Sequence, residues 1–262
     1  MGRLEGQVAL VTGAGTGIGR SAVHMFCAEG ARCILAGRRE APLAEVAAEV
    51  EAKGGSAWYQ STDMEDSAAV EALATACLDR HGRVDVIVHN AGHSSSVRSV
   101  RHIGDEEWNS VLSVNVTGPM ILTRALLAPM IAAERGTVIM ISSMAALRPG
   151  LMAGTAYGTA KAAARNYMGG LGAELRQKGI RATTIFPGEV DTPILEKRPK
   201  PPSAEQRENM MQADDIAEAI LLAATLPPRT VIEEMTMMPT RLRDYTEDIK
   251  AAREKTEVTS RQ

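Results

Sequence analysis

Aromatic side chains are scarce. Two Trp, four Tyr and two Phe make up 3% of the 262 residues, so a core has to be filled by aliphatic side chains and the 14 methionines. Cysteine is also rare. Cys27, Cys33 and Cys77 are odd in number and scattered through apolar segments, which excludes a disulfide framework and a cysteine-built metal site. No charge sign dominates. A formal net charge of -3 gives no whole-molecule attraction to phosphate backbones or anionic lipid, so nucleic acid and membrane surfaces are excluded as partners and a small molecule is expected. Long apolar runs are missing too. No stretch of about twenty apolar residues offers a membrane span. The polar start, Met1 to Gln7, leaves no room for the apolar core of a signal peptide, so the expected location is cytoplasmic.

What the chain does contain is alternation. Short valine- and isoleucine-rich runs at 8–12, 32–36, 57–61, 84–89, 137–141, 181–186 and 234–238 read as buried strands. Between them, segments of helical spacing run over 17–29, 41–53, 66–81, 105–133, 155–178 and 214–226. Glycines 30, 54, 82, 136 and 179 read as the punctuation that ends helices. Strict alternation predicts an α/β fold, one doubly wound parallel sheet of Rossmann-like type with helices on both faces. With no break in composition, residues 1–262 are expected to form a single domain. Within it, the proline- and charge-rich stretch 192–212 follows a strand end and reads as a mobile substrate lid. Residues 241–262, of mixed charge, read as a C-terminal helix or tail.

Chemistry is concentrated where predicted strands end. After the first strand comes TGAGTGIG, where Gly13, Thr16, Gly17, Ile18 and Gly19 form a turn into a helix. Glycines let the backbone approach a pyrophosphate, and the helix start offers free amides and a positive dipole end. A tight strand-to-helix turn needs glycine in any case. The second strand ends at Arg38 and Arg39, where an acidic residue would accept from a free ribose 2′-hydroxyl and a guanidinium pairs with a 2′-phosphate. The arginine therefore points to NADP(H). Asp63 either accepts from an adenine amino group or caps the segment beginning at Glu65. Tyr157 and Lys161 stand four apart on one helix face, so an ammonium can sit near a phenol. A free tyrosine, with a pKa of about 10, exchanges protons poorly near neutrality, and a fixed cation would correct that.

The order of these motifs resembles the short-chain dehydrogenase/reductase family over residues 6 to about 239. The likeness rests on TGAGTGIG, the Asn90-Ala91-Gly92 that follows His89, Asn115 in SVNVTG, Ser143, YGTAK and PGEVDT. It implies that Tyr157 is the general acid or base and that Ser143 hydrogen-bonds the substrate oxygen. Lys161 would lower the phenol pKa and hold the nicotinamide ribose, and Asn115 would position a relay water. The same likeness assigns to NADP(H) the turn residues, Asp63 and Asn90 with its neighbours Ala91 and Gly92. Pro187, Gly188, Val190 and Thr192 complete that assignment as the nicotinamide-side loop. Two departures stand out. His89 replaces a frequent asparagine and reads as a structural histidine, and residues 230–239 lack the family's frequent glycine-rich ending, which resembles the NADP-using members active on hydroxy acids or small alcohols; the Ser143-to-Tyr157 interval is also one residue longer than in many relatives.

The implied reaction is hydride transfer between nicotinamide and a carbonyl or alcohol. Alternatives are an epimerase or dehydratase that recycles bound nicotinamide, and a non-catalytic dinucleotide-binding sensor that would not require the four catalytic positions. Small residues in the helices starting at Asp105 and Thr155, among them Gly169, Gly170 and Gly172, predict a homodimer or homotetramer. Lys197, Arg198 and Lys200 either attract an acidic substrate or form a solvated charge run.

Overall fold

A computed structural model describes residues 2–254. Seven strands, β1 (Val8–Thr12), β2 (Arg32–Gly37), β3 (Ser56–Ser61), β4 (Val86–His89), β5 (Gly136–Ile141), β6 (Ile180–Pro187) and β7 (Glu234–Met237), form one sheet. Its order is β3-β2-β1-β4-β5-β6-β7, and every pair is parallel. The helices are α1 (Gly17–Ala28), α2 (Glu40–Ala52), α3 (Ser67–His81), α4 (Asp105–Leu112), α5 (Gly118–Ala132), α6 (Thr155–Leu175), α7 (Ala204–Arg207), α8 (Ala213–Thr225) and α9 (Thr246–Glu254).

Period-two side-chain alternation divides the apolar residues of each central strand between two cores. Ala9 and Val11 of β1 pack with Val23 and Phe26 of α1, Val46 of α2 and Ile216 and Ile220 of α8. Val8 and Leu10 face the opposite way, onto Leu73 of α3, Leu122 and Leu126 of α5 and Met168 of α6. Burying a side chain such as Phe26 or Leu122 completely stabilises the fold by about 1.5–3 kcal/mol. The inner strands β1, β4 and β5 are buried throughout, whereas the edge strands β3 and β7 are half exposed. An 18-residue window within 105–132 is apolar enough by composition to cross a membrane, with mean hydropathy 1.4, yet half of that window is buried inside the protein.

Three local readings change. The helical run from Asp105 is not continuous: a π turn, Ser113–Thr117, separates α4 from α5. Gly136 does not end a helix. It is the first residue of β5, where a side chain would run into Met130, and Glu134 takes the left-handed conformation at φ 48° instead. Finally, α6 stops at Leu175, and a 3₁₀ turn, Arg176–Lys178, leads to Gly179 at φ 76°. Asp66 caps α3, its Oδ1 accepting from the amides of Ala68 and Ala69.

Strand order reverses between β1 and β4. Such a switch point is where open α/β sheets bind their ligands.

Candidate active site

At the carboxyl end of β1 the chain turns through Gly13, at φ 65°, and Gly17, at φ 52°, a region that L side chains rarely enter. Space gives a second reason for glycine. A Cβ on Gly13 would come within 2.9 Å of both Ala91 Cα and Asn90 Nδ2, and one on Gly19 would strike the Gly13 carbonyl. Thr16 ends the turn and makes no side-chain cap, and the first turn of α1, which includes Ile18, holds no acid. The amides there keep their positive end free for an anion.

Thr12 ties this turn to the loop after β4. Its hydroxyl donates to the Val88 carbonyl at 3.3 Å and accepts from the amides of Asn90 and Ala91, each at 3.1 Å. The Asn90 side chain in turn donates to the carbonyls of Thr12 and Gly13 at 3.0 and 3.1 Å. Sequence reading gave Thr12 no role of its own, because a threonine at a strand end is unremarkable until its neighbours in space are known. His89 is buried and bonds Thr123 Oγ1 through Nε2 at 2.7 Å. Burial, with a smaller contribution from nearby Lys161, pushes its pKa down to about 3.

Arg38 and Arg39 are exposed beyond β2, and neither joins an ion pair among the described residues. The Arg38 carbonyl is held by the Ser61 hydroxyl at 2.9 Å. Asp63 lies after β3, where its Oδ1 accepts from the Glu65 amide at 3.0 Å, a two-residue turn that leaves the capping of α3 to Asp66.

After β6, whose last residue is Pro187, the chain runs through Gly188 to Val190, which bridges Met211. The amide of Asp191 donates to the Met211 carbonyl and the amide of Met211 to the Glu189 carbonyl, at 2.8 and 3.1 Å. Both ends of the 192–210 excursion are therefore pinned together. Thr192 faces α1, and a Cβ on Gly17 would lie 3.1 Å from its methyl group.

Ser143 follows β5 and caps the short 3₁₀ turn Met144–Ala146, with Oγ accepting from the Ala145 amide at 3.2 Å. Tyr157 and Lys161 are one turn apart on α6. Ser143 lies beside the phenol and favours its ionised form. Lys161 is 3% exposed, donates to the Ile141 carbonyl at 2.8 Å, and lies 5.5 Å from the centroid of the Tyr157 ring. Burial lowers its ammonium to about 8.

Lys161 sits over the ring rather than at the oxygen. Burial raises the Tyr157 pKa, and against it act Ser143 and two arginines, Arg98, which sequence reading missed, and Arg198, which it read only as part of a charge run. Neither arginine is near Tyr157 in the chain. Arg198 belongs to the charge run 197–200, and nothing in the sequence marks Arg98.

The π turn brings Asn115 to the same place. Its side chain is 1% exposed, with Nδ2 donating to the carbonyls of His93 and Val111 at 2.7 and 2.8 Å and a buried Oδ1 that has no partner. Inserted π turns often mark functional sites because they rotate one residue out of the regular ladder. A Cβ on Gly92 would stand 3.4 Å from Asn115 Oδ1 and 3.7 Å from Lys161 Nζ, so both polar atoms border the space that this glycine leaves free.

The chain matches the short chain dehydrogenase family over residues 7–202. An uncharacterized oxidoreductase of Staphylococcus aureus strain USA300 is 32% identical over 236 residues, covering 90% of this chain and 98% of that relative. Among solved structures, a metagenomic short-chain oxidoreductase in complex with NADP aligns with TM-score 0.80 and 34% identity, covering 92% of this chain and 100% of its own. Actinorhodin polyketide ketoreductase with NADPH aligns with TM-score 0.82 and 26% identity, covering 91% and 98%.

Proposed function

Because this chain belongs to the short chain dehydrogenase family, we propose that it is an NADP(H)-dependent oxidoreductase that interconverts a carbonyl and an alcohol, with Tyr157 as general acid and base. One observation carries the reading. The glycine turn with its uncapped helix start and the adjacent Ser143–Tyr157 pair open onto the same end of one sheet, on strands β1 and β5 separated only by β4.

The residues fit NADP(H). Gly13, Thr16, Gly17, Ile18 and Gly19 would hold the pyrophosphate, with Arg38 and Arg39 on the 2′-phosphate and Asp63 at the adenine. Asn90, Ala91 and Gly92 would line the adenosine side, with Pro187, Gly188, Val190 and Thr192 on the nicotinamide side. When bound, NADPH supplies a hydride and becomes NADP+. The protein's own task is the other half of the balance. Ser143 holds the substrate oxygen, and the Tyr157 hydroxyl delivers a proton to that oxygen as the carbon gains the hydride; the reverse reaction returns both. Lys161 holds the nicotinamide ribose, and the unpartnered Asn115 Oδ1 accepts from a water that reprotonates the phenolate.

We assign the segment 192–212 as a lid hinged at the Val190–Met211 bridge, within a single domain spanning the chain. The same reading makes the protein a cytoplasmic homodimer or homotetramer. Replacing Tyr157 with Phe removes the transferable proton and keeps the ring. NADPH binding, read by fluorescence titration, should survive while turnover falls at least ~10²-fold. Near-normal turnover in this variant would reject the mechanism, and a wild type that binds NADPH but oxidises none against any carbonyl would favour a sensor.

A further inference from the structure

Among the buried guanidiniums of this region, Arg98 is the one without an anion. It is 3% exposed, and among the described residues no carboxylate lies within ion-pair distance of it. Its Nη1 alone makes hydrogen bonds, to Ser94 Oγ at 2.7 Å and the Ala153 carbonyl at 2.5 Å. The buried Nε has no partner. The Nε–Nη2 edge is therefore uncommitted, and that edge is one of the two forks by which a guanidinium pairs a carboxylate bidentately.

Its position is fixed on the side of the catalytic tyrosine. The Arg98 carbonyl accepts from the Thr155 amide at 3.3 Å, in the first turn of α6, two residues before Tyr157. Its side chain packs on Gly154, where a Cβ would stand 2.8 Å from Arg98 Cδ. The other guanidiniums nearby are already neutralised. Glu189, 5% exposed, accepts from Arg198 at 2.5 Å and from Arg243 at 2.9 and 3.0 Å, and Arg243 also pairs with Asp248 at 2.8 Å. Three guanidiniums face two carboxylates, so one positive charge is left over, and it resides on Arg98. An isolated buried charge is costly unless something pairs it. Burial, with repulsion from Arg198, already lowers the Arg98 pKa to about 10.

We propose that Arg98 binds a carboxylate of the substrate, which makes the protein specific for oxo acids and the matching hydroxy acids. With Lys161 committed to the Ile141 carbonyl and, on the reading above, to the nicotinamide ribose, the one guanidinium charge left for a substrate matches a monoanion. This rests on the oxidoreductase reading above and names its substrate class. The carboxylate docks on the open edge of Arg98 while the carbonyl oxygen lies between Ser143 and Tyr157, so the charge pair orients the carbonyl. The same pair removes the cost of leaving the guanidinium buried alone.

The test compares 2-, 3- and 4-oxopentanoate with their methyl esters, using wild type, Arg98→Met and Arg98→Lys. In parallel, pentanoate and pentanamide are titrated calorimetrically into the NADP+-loaded proteins. For at least one acid, kcat/KM should exceed that of its own ester by ~10-fold or more. Arg98→Met should abolish this ratio and Arg98→Lys should keep part of it, since lysine retains the charge and loses the fork. Because each ratio comes from one preparation, it does not depend on the fraction of folded protein. Pentanoate, and not pentanamide, should bind the wild type and lose binding in Arg98→Met. A wild type without acid preference, or an Arg98→Met that keeps it, overturns the proposal while ester reduction leaves the oxidoreductase reading intact. Arg98-dependent pentanoate binding without reduction of any carbonyl would retain the anion site and reject the oxidoreductase reading. Absence of both binding and reduction rejects both.

Discussion

At the residue scale, the chemistry of the site depends on charges held away from water. Lys161 is the clearest case: burial brings its ammonium from an ordinary value near 10.5 down to about 8. The folded state thus releases that proton more readily than the unfolded chain. Below pH 8 both states bind it and the burial penalty is present in full. Between pH 8 and about 10.5 the unfolded chain holds more protons, so the stability contributed by position 161 rises with pH. Replacing Lys161 with Met removes this dependence. The stability of wild type minus that of Lys161→Met, from urea unfolding at pH 7 to 10.5, should therefore shift toward the wild type by about 3 kcal/mol. A flat difference across that range would show that the ammonium is not desolvated. The same substitution should reduce turnover, because Lys161 then no longer holds the ribose.

At the element scale, Glu189 joins three pieces of chain that are distant in sequence. It lies in the loop after β6 and holds Arg198 of the lid and Arg243 just before α9. The described part of the C-terminal segment, to Glu254, is accordingly docked: Asp248 and Ala252 are buried, and Arg243 lies 4.9 Å from the Tyr245 ring centroid. Residues 255–262 of the expected helix or tail lie outside the described residues. Breaking a buried pair costs about 3–5 kcal/mol because the partners are left uncompensated. Glu189→Gln should loosen the lid and α9 and spare the central strands, none of whose residues joins the ion pairs of Glu189, Arg198, Arg243 and Asp248. Hydrogen exchange should speed up over 192–211 and 241–254 and stay unchanged over β1, β4 and β5. Uniform acceleration throughout the sheet would mean that Glu189 supports the whole fold and not these two segments.

At the scale of the whole molecule, α6 presents two glycines on its surface. Gly169 and Gly170 are exposed, and a Cβ on either would meet nothing within 4 Å. Exposed glycines in a helix interior cost about 1 kcal/mol each against alanine, which suits a surface that another chain approaches closely. Gly169→Gln should therefore leave the subunit at least as stable while weakening assembly. Light scattering at micromolar concentration should give a dimer or tetramer for the wild type and a smaller mass for the variant. A monomeric wild type, or equal masses, would remove α6 as the contact.

Much of the molecule was legible in the sequence because the information is local. Short continuous apolar runs at β1, β4 and β5, alternating with helical segments, point to a parallel sheet. The glycines of TGAGTGIG require backbone freedom wherever they stand, and four-residue spacing alone puts Tyr157 and Lys161 on one helix face. The single-residue insertion that turns 113–117 into a π turn was invisible, since regular helical spacing continues on both sides of it. Charge at the phenol was equally hidden. Lys161 was the cation that sequence proximity offered, yet Arg98 and Arg198 reach Tyr157 from 59 residues before it and 41 after it along the chain. Which guanidinium keeps a partner depends on Glu189 and Asp248, brought there by separate loops. Local sequence determines elements and turns because their forces act over a few residues. Electrostatics in a desolvated crevice acts through space across a low dielectric, so only the packed chain decides which charges meet and which one is left alone.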